Sequence, residues 1–332
     1  MNQKHKIIVI GSNSFSGSDF IDLLLENKRN SVIGISRSPE KSKLFLPYKQ
    51  HKNADFKFHQ LDLNKDMADI IELIYSFQPE YIVNFAAQSE VAPSWENPGQ
   101  WFQTNAVALS ELVHALKDCK FLKRYVHISS PEVYGTCKGS VLEDAPLNPT
   151  TPYAASKAAG DLSLFTYVKN YNFPLVIIRS TNVYGAHQQL FKIIPRSVIY
   201  IKNGKNIELH GGGHAVKSYI HIRDISKGEL SAMLNGRNGE IYHLSPDNGI
   251  AVRDVVKTIC DKMGIAFEKA TKTVEERLGQ DAAYVIDSSK ARNDFAWQPE
   301  VSFESGLTGV IMWVKDNWEK IQKEPLKYIH KN

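Results

Sequence analysis

Tyr153 and Lys157 close the run Tyr153-Ala154-Ala155-Ser156-Lys157. On a helix this i, i+4 spacing puts phenol and ammonium on one face. A nearby ammonium favours the tyrosinate and lowers the phenol pKa. Such a phenol can take the proton of a hydroxyl while the carbon beneath it is oxidised. Pro149-Thr150-Thr151-Pro152 sets a defined helix start just ahead. Upstream, Ser129-Ser130-Pro131-Glu132-Val133-Tyr134-Gly135 offers hydroxyls and a carboxylate at a predicted strand end. A bare Tyr-x-x-x-Lys pair is common surface decoration, so its meaning depends on what surrounds it.

A second chemistry stands at the start of the chain. The apolar run Ile7–Ile10 leads into Gly11-Ser12-Asn13-Ser14-Phe15-Ser16-Gly17, and a helical pattern follows. Glycine allows a tight turn and close approach of a diphosphate to the backbone. The helix start adds free N–H groups and the positive end of its dipole. Gly11, Ser14, Phe15, Ser16 and Gly17 are therefore candidate dinucleotide ligands; the alternative is a structural turn. The next strand ends in Ser36-Arg37. A carboxylate there would bind a ribose 2′-hydroxyl. Ser36 cannot act as one, whereas Arg37 could meet a 2′-phosphate, so NADP is favoured slightly over NAD. Arg37 could equally be a solvated loop residue. Asp62, followed by Leu63, is a candidate adenine contact, although a turn or cap role fits it as well.

These groups need elements to hold them. Short apolar runs at 6–10, 31–35, 55–59, 81–85, 124–129 and 174–179 read as strands. Helical patterns fill 17–27, 66–77, 100–118 and 152–171. The alternation predicts an α/β fold with a doubly wound parallel sheet covered on both faces. Beyond residue 180 the pattern is less regular. Strands near 207–209, 218–222 and 240–244 mix with helices near 189–202, 224–235, 252–263 and 303–320. This predicts a dinucleotide-binding domain over 1–180 and a smaller mixed α/β substrate lobe over 181–332, some of whose segments return to the first sheet.

The chain has 332 residues, 42% hydrophobic and 23% charged, which supports a substantial core. The net charge of +4 is scattered rather than clustered and gives no nucleic-acid surface. Cys119, Cys137 and Cys260 lie far apart, with no zinc or redox spacing. Reduced thiols in a cytoplasmic protein account for them. No apolar run reaches membrane-spanning length, and no His, Cys and Asp cluster has metal spacing.

With these motifs in order, the chain resembles an extended short-chain dehydrogenase/reductase of the nucleotide-sugar 4,6-dehydratase and epimerase branch. Asn84-Phe85-Ala86-Ala87-Gln88-Ser89 resembles the family's fourth-strand motif, and Glu96-Asn97-Pro98 with Thr104-Asn105 its next helix. Arg179–Gly185, Arg277–Asp281 and Asp287–Lys290 resemble its later elements. The resemblance implies a Rossmann-type domain, a tightly bound NAD(P), a nucleotide-diphosphate-sugar substrate and a homodimer paired through helices 100–118 and 152–171. Leu109, Leu112, Leu162 and Phe165 are candidates for that pairing. It adds Ala86, Ala87, Gln88, Asn105 and Ser129 to the cofactor ligands. It makes Ser130 the oxyanion contact, Tyr153 and Lys157 the oxidation pair, and Glu132 the base at C5.

In dTDP-glucose 4,6-dehydratases the residues matching Ser130-Pro131-Glu132 are Thr, Asp and Glu. Pro131 has no ionisable group. GDP-mannose 4,6-dehydratases also lack that Asp and keep the Glu, and UDP-glucuronate decarboxylases keep a Ser-Glu pair. C4-epimerases need no carboxylate there. For the substrate, the resemblance implies contacts from Ser89, Asn182, Lys192, Glu208, His210, Lys217, His243 and Arg277. It thus implies an NDP-hexose 4,6-dehydratase, with a C4-epimerase or decarboxylase as the near alternative and a non-catalytic dinucleotide-binding regulator as the remote one.

Overall fold

The computed structural model describes residues 4–136, 139–276 and 283–330. Seven parallel strands form its centre. They are β1 (Lys6–Ile10), β2 (Ser31–Ser36), β3 (Asp55–Gln60), β4 (Tyr81–Asn84), β5 (Arg124–Ile128), β6 (Leu175–Ser180) and β7 (Glu240–Leu244). Their spatial order is β7-β6-β5-β4-β1-β2-β3. Successive side chains point to opposite faces, and both faces are apolar. Ile7, Val9, Val83 and Val126 pack with Phe20, Leu24 and Met233 on one side. Ile8, Ile10, Ile82 and Tyr125 pack with Ile70, Ile74, Leu112 and Leu164 on the other. Full burial of each such side chain contributes roughly 1.5–3 kcal/mol, and the central strands carry them without interruption.

Helix α1 (Phe15–Glu26) covers the first side together with helix Ile222–Asn235, and α2 (Pro152–Tyr171) lies on the second. The helix expected over 100–118 is three pieces: Pro98–Phe102, a π-helical turn Gln103–Ala108, and Leu109–Leu116. Leu109 and Leu112, candidates for a dimer face, are fully buried against the sheet. Phe165 is partly buried on the same core, and only Leu162 of the four is exposed.

Beyond β6 the chain builds a second core around Leu190, Ile194, Val198, Ile259, Leu307 and Val310. A four-stranded sheet and two strand pairs accompany it. β7 leaves this region to pair with β6, Ile241 opposite Ile177. Short strands at 140–141, 182–184, 250–251, 271–274 and 283–286 were not anticipated. They are too brief to show an alternation.

Candidate active site

All the central strands point their carboxyl ends the same way. Between β1 and β4 the order reverses, leaving the crevice where ligands of such sheets bind. The glycine turn fills its floor. Gly11 has φ +86°, and a Cβ there would lie 2.7 Å from the Ala86 amide nitrogen. A Cβ on Gly17 would lie 2.5 Å from the Gly11 carbonyl oxygen. Only glycine permits both the left-handed turn and this contact. Ser14 caps α1, its hydroxyl accepting from the Gly17 N–H at 2.9 Å.

The crevice opens into a cavity of about 570 Å³, within the range of small-molecule sites. Gly11, Ser14, Ser36, Arg37, Asp62 and Leu63 line it. So do Ala86, Ala87, Gln88 and Ser89. Phe15, Ser16 and Gly17 form the first turn of α1 behind that wall. Two further features fit a dinucleotide, a cation for its phosphates and an acceptor for its hydroxyls. The cavity wall carries Lys41 beside Arg37, and the buried Asn13 keeps its Oδ1 without a partner while its Nδ2 holds the Ser38 and Pro39 carbonyls at 2.8 and 2.9 Å. No motif pointed to Asn13 or Lys41; Asn13 stood inside the turn as one of its variable positions.

Ser36 is not free to move. Its hydroxyl accepts from the Asn13 N–H at 3.0 Å and from Ser12 at 3.3 Å. Asn105 is also committed. Its Oδ1 accepts from the Gln88 N–H, and its Nδ2 donates to the Gln88 carbonyl and the Ser156 hydroxyl, each at 2.9 Å. It clamps the loop after β4 to α2 rather than reaching the cavity.

The oxidation residues lie beside this cavity without lining it. Thr151 caps α2, and the Tyr153 N–H donates to Ser94. Ser130 caps the turn Pro131–Tyr134, accepting from the Glu132 N–H at 3.2 Å, and its hydroxyl lies near enough to the Tyr153 phenol to favour the phenolate. Burial raises the Tyr153 pKa, the Glu132 carboxylate raises it further, and the Ser130 bond opposes both. Lys157, expected to lower it, turns inward. Its Nζ donates to the Ile128 carbonyl at 2.8 Å and lies 3.2 Å from His127 Nε2. Burial drags the lysine down to about 8, with Asp161 pulling the other way.

Beneath it runs a buried polar chain. Ser129 Oγ and Arg179 Nη2 both donate to Asp161 Oδ2 at 2.7 Å. Arg179 also donates to the Tyr134 hydroxyl, which meets His243 Nε2 at 2.7 Å. Burial, then Arg179, lowers His243 to about 3, so the ring is neutral. His243, a candidate substrate ligand, is therefore part of this core and is fully buried.

The other lobe candidates are spread out. Asn182 holds the Ser218 carbonyl through its N–H and side-chain amide. Lys192 pairs with Glu90 at 2.7 Å, bridging the second core to the cavity edge. Glu208 pairs with Lys272 at 2.9 Å on the surface, and this hydrogen bond lowers its pKa. His210 Nδ1 meets the Glu275 carbonyl. Lys217 lies in the strand Val216–Lys217. Arg277 lies outside the described residues. Among the described residues no three His, Cys, Asp or Glu side chains could share a metal ion, and no helix is long and apolar enough to cross a membrane.

Known proteins share this arrangement. A dTDP-glucose 4,6-dehydratase of Neisseria meningitidis serogroup B is 29% identical over 340 residues, 95% of this chain and 96% of the relative. The crystal structure of DesIV, a dTDP-glucose 4,6-dehydratase from Streptomyces venezuelae with NAD bound, superposes with a TM-score of 0.88. It is 29% identical and covers 95% of this chain and 98% of its own. A UDP-glucuronic acid 4-epimerase from Bacillus cereus, in complex with UDP-glucuronic acid and NAD, gives a TM-score of 0.86 at 26% identity, covering 94% and 99%. The profile of the GDP-mannose 4,6 dehydratase family matches residues 8–310, and with the turn, the phenol and the carboxylate in place along that span, the chain belongs to this family.

Proposed function

We propose that this enzyme is a nucleotide-sugar 4,6-dehydratase, converting an NDP-hexose to an NDP-4-keto-6-deoxyhexose. One observation carries the reading. The turn capped by Ser130 sets the Glu132 carboxylate near enough to the buried Tyr153 phenol for its charge to raise the phenol pKa. Oxidation alone needs no carboxylate there; elimination needs a base. A bound nicotinamide dinucleotide supplies the hydride acceptor and donor.

The chain's own residues do the rest. Tyr153, as the phenolate left when its own proton has passed to solvent, takes the proton of the C4 hydroxyl. Ser130 donates to the oxygen left at C4. The resulting ketone acidifies C5, and Glu132 takes that proton. Pro131 cannot protonate the departing C6 hydroxyl, so Glu132 or a water delivers that proton. Lys157, charged below pH about 8 and one helical turn from Tyr153, has to leave the Ile128 carbonyl and His127 to favour proton loss from the phenol once substrate is bound.

The dinucleotide site is built on the glycine turn and strand ends of 1–180, with later segments closing the cavity, and NADP is favoured by Arg37 and Lys41 beside a strand end that lacks a carboxylate. The segment 181–332 forms the nucleotide-sugar lobe, with Ser89, Asn182, Lys192, Lys217 and Arg277 as substrate contacts. The working unit is a homodimer in the cytoplasm. The similarity to a UDP-glucuronic acid 4-epimerase keeps C4 epimerisation as the second reading.

Glu132→Gln keeps size and hydrogen bonding but takes up no proton. Given dTDP-glucose, GDP-mannose or UDP-glucose, the variant should still reduce its bound dinucleotide, seen as nicotinamide absorbance. It should exchange no C5 hydrogen with solvent and form little 6-deoxy product, a loss of about two to four powers of ten. Wild-type exchange and product formation in the variant would remove Glu132 and move epimerisation ahead.

A further inference from the structure

The segment that follows helix Trp318–Ile321 has no motif and no role in the chemistry above. It nevertheless forms a wall of the dinucleotide cavity. Glu324, Pro325, Lys327, Tyr328 and Ile329 line the same space as Gly11, Ser36 and Arg37. Tyr328 lines this space together with Glu90 and Arg37; burial raises its pKa, Glu90 raises it further and Arg37 opposes both. The segment crosses the cleft from the second core to the sheet side.

Its attachments are few and can be counted off. The root turns through Glu324 N–H to the Ile321 carbonyl at 3.1 Å. Leu326 packs on the second core. The Tyr328 ring meets Phe191 edge-on at 5.5 Å. The His330 ring stacks on Trp101 at 5.3 Å and 12°. Its Nε2 lies 2.6 Å from Gln100 Oε1, an acceptor only, so that nitrogen carries the proton. Nδ1 is then free to accept from the Tyr328 hydroxyl at 3.1 Å. Alternate residues face inward, while Pro325, Lys327 and Ile329 are exposed. A stretch held to the body by one apolar side chain, two ring contacts and one side-chain hydrogen bond among the described residues belongs to the least stable part of a fold. Trp101, by contrast, is fully buried and gives it a rigid seat.

We propose that residues 324–330 are a strap that closes over the bound dinucleotide and must lift for it to exchange. Tyr328 adds an aromatic surface to the wall of the cleft, and Lys327 a positive charge at its rim. The inference rests on the dinucleotide reading of this cleft. It also gives that reading a reason for enclosure: the proposed dehydration returns its dinucleotide unchanged, so the cofactor has no need to leave between turnovers.

The test uses the full chain loaded with NAD or NADP, and follows exchange for a fluorescent ethenoadenine analogue. Tyr328→Ala with His330→Ala should raise the release rate about tenfold or more, the size expected from losing two ring contacts and their hydrogen bonds. Gln100→Ala, which leaves the rings in place, should give a smaller rise. Apo-protein melting should stay close to wild type, because little else rests on the strap. Independently, trypsin cleavage after Lys327, followed by mass, should slow when dinucleotide is added, since what closes over a ligand is held closed by it. Wild-type release in the loaded double variant, or cleavage at Lys327 indifferent to dinucleotide, would overturn the strap and leave the cofactor site standing. A wild-type chain that takes up neither dinucleotide would overturn the reading of the cleft, and the strap with it.

Discussion

Lys157 shows how far residue spacing carries an argument. Phenol and ammonium do sit on one helix, four residues apart, as their positions require. The amine's destination was invisible, because it depends on the Ile128 carbonyl and His127 of β5. The consequence is measurable. Burial above all sets its pKa at about 8 instead of the ordinary 10.5. As pH rises through about 8 the ammonium is lost, and with it the cation that the proposed first step uses to favour proton loss from Tyr153. The rate of the first oxidation should therefore fall on an alkaline limb centred near pH 8. Unfolding through this group cannot mimic that limb. A lysine depressed in the fold costs stability fully below about pH 8, and the cost fades as pH climbs toward 10.5. Single-turnover reduction of the bound dinucleotide, measured across this range, checks the point. A rate still flat about one unit above pH 8 would show that the charge on Lys157 is not required.

At the scale of elements, the strands were legible because continuous apolar runs such as Ile7–Ile10 have no other use in a chain with so few of them. The helix over 98–116 was legible only as a helix. Its π-helical turn inserts a residue that periodicity cannot show, and that turn is what presents Asn105 to Gln88 and Ser156. The buried chain through Asp161 and Arg179 was equally hidden, since a charged residue on a helix reads as surface until its partner on a strand is known. The packing of α2 on the π-helical turn supplies a second test. A Cβ on Gly160 would lie 2.3 Å from the Asn105 carbonyl oxygen and 3.1 Å from Leu109. Both neighbours are buried and the first is backbone, so the helices must separate. Gly160→Ala should cost roughly 1–3 kcal/mol, the usual penalty of overpacking, lowering the denaturant midpoint at unchanged slope. It should also weaken dinucleotide binding, because Asn105 holds the loop that lines the cavity. An unchanged midpoint would mean that the contact relaxes without consequence.

At the scale of the whole molecule, several apolar side chains stay exposed on two adjoining helical stretches after the cores are filled. Leu162 on α2 is 60% exposed, and Phe102 and Val107 on the neighbouring helical stretch are 38% and 44% exposed. Leu109 and Leu112, one turn away, point into the sheet and are spent there. The two helices are tied side by side through Ser110 and Ser163, 2.6 Å apart, so the exposed side chains form one surface across both. A twofold axis through such a pair brings the same patch against itself and stacks four helices, a self-complementary contact that needs no other partner. Leu162→Glu tests it cleanly, because a side chain that exposed contributes little to the protomer's own fold. The substitution removes about 1.5–3 kcal/mol of burial from each half of the contact and sets a carboxylate against its own copy. Sedimentation at micromolar concentration should find a dimer for the wild type and a monomer for Leu162→Glu, with the melting of the monomer's secondary structure still cooperative. A wild-type monomer, or a variant that stays dimeric, would place the contact elsewhere or remove it. The proposed catalytic groups, Ser130, Glu132, Tyr153 and Lys157, are close together in a single chain, so a monomeric variant that still reduces its dinucleotide would confine the role of pairing to stability.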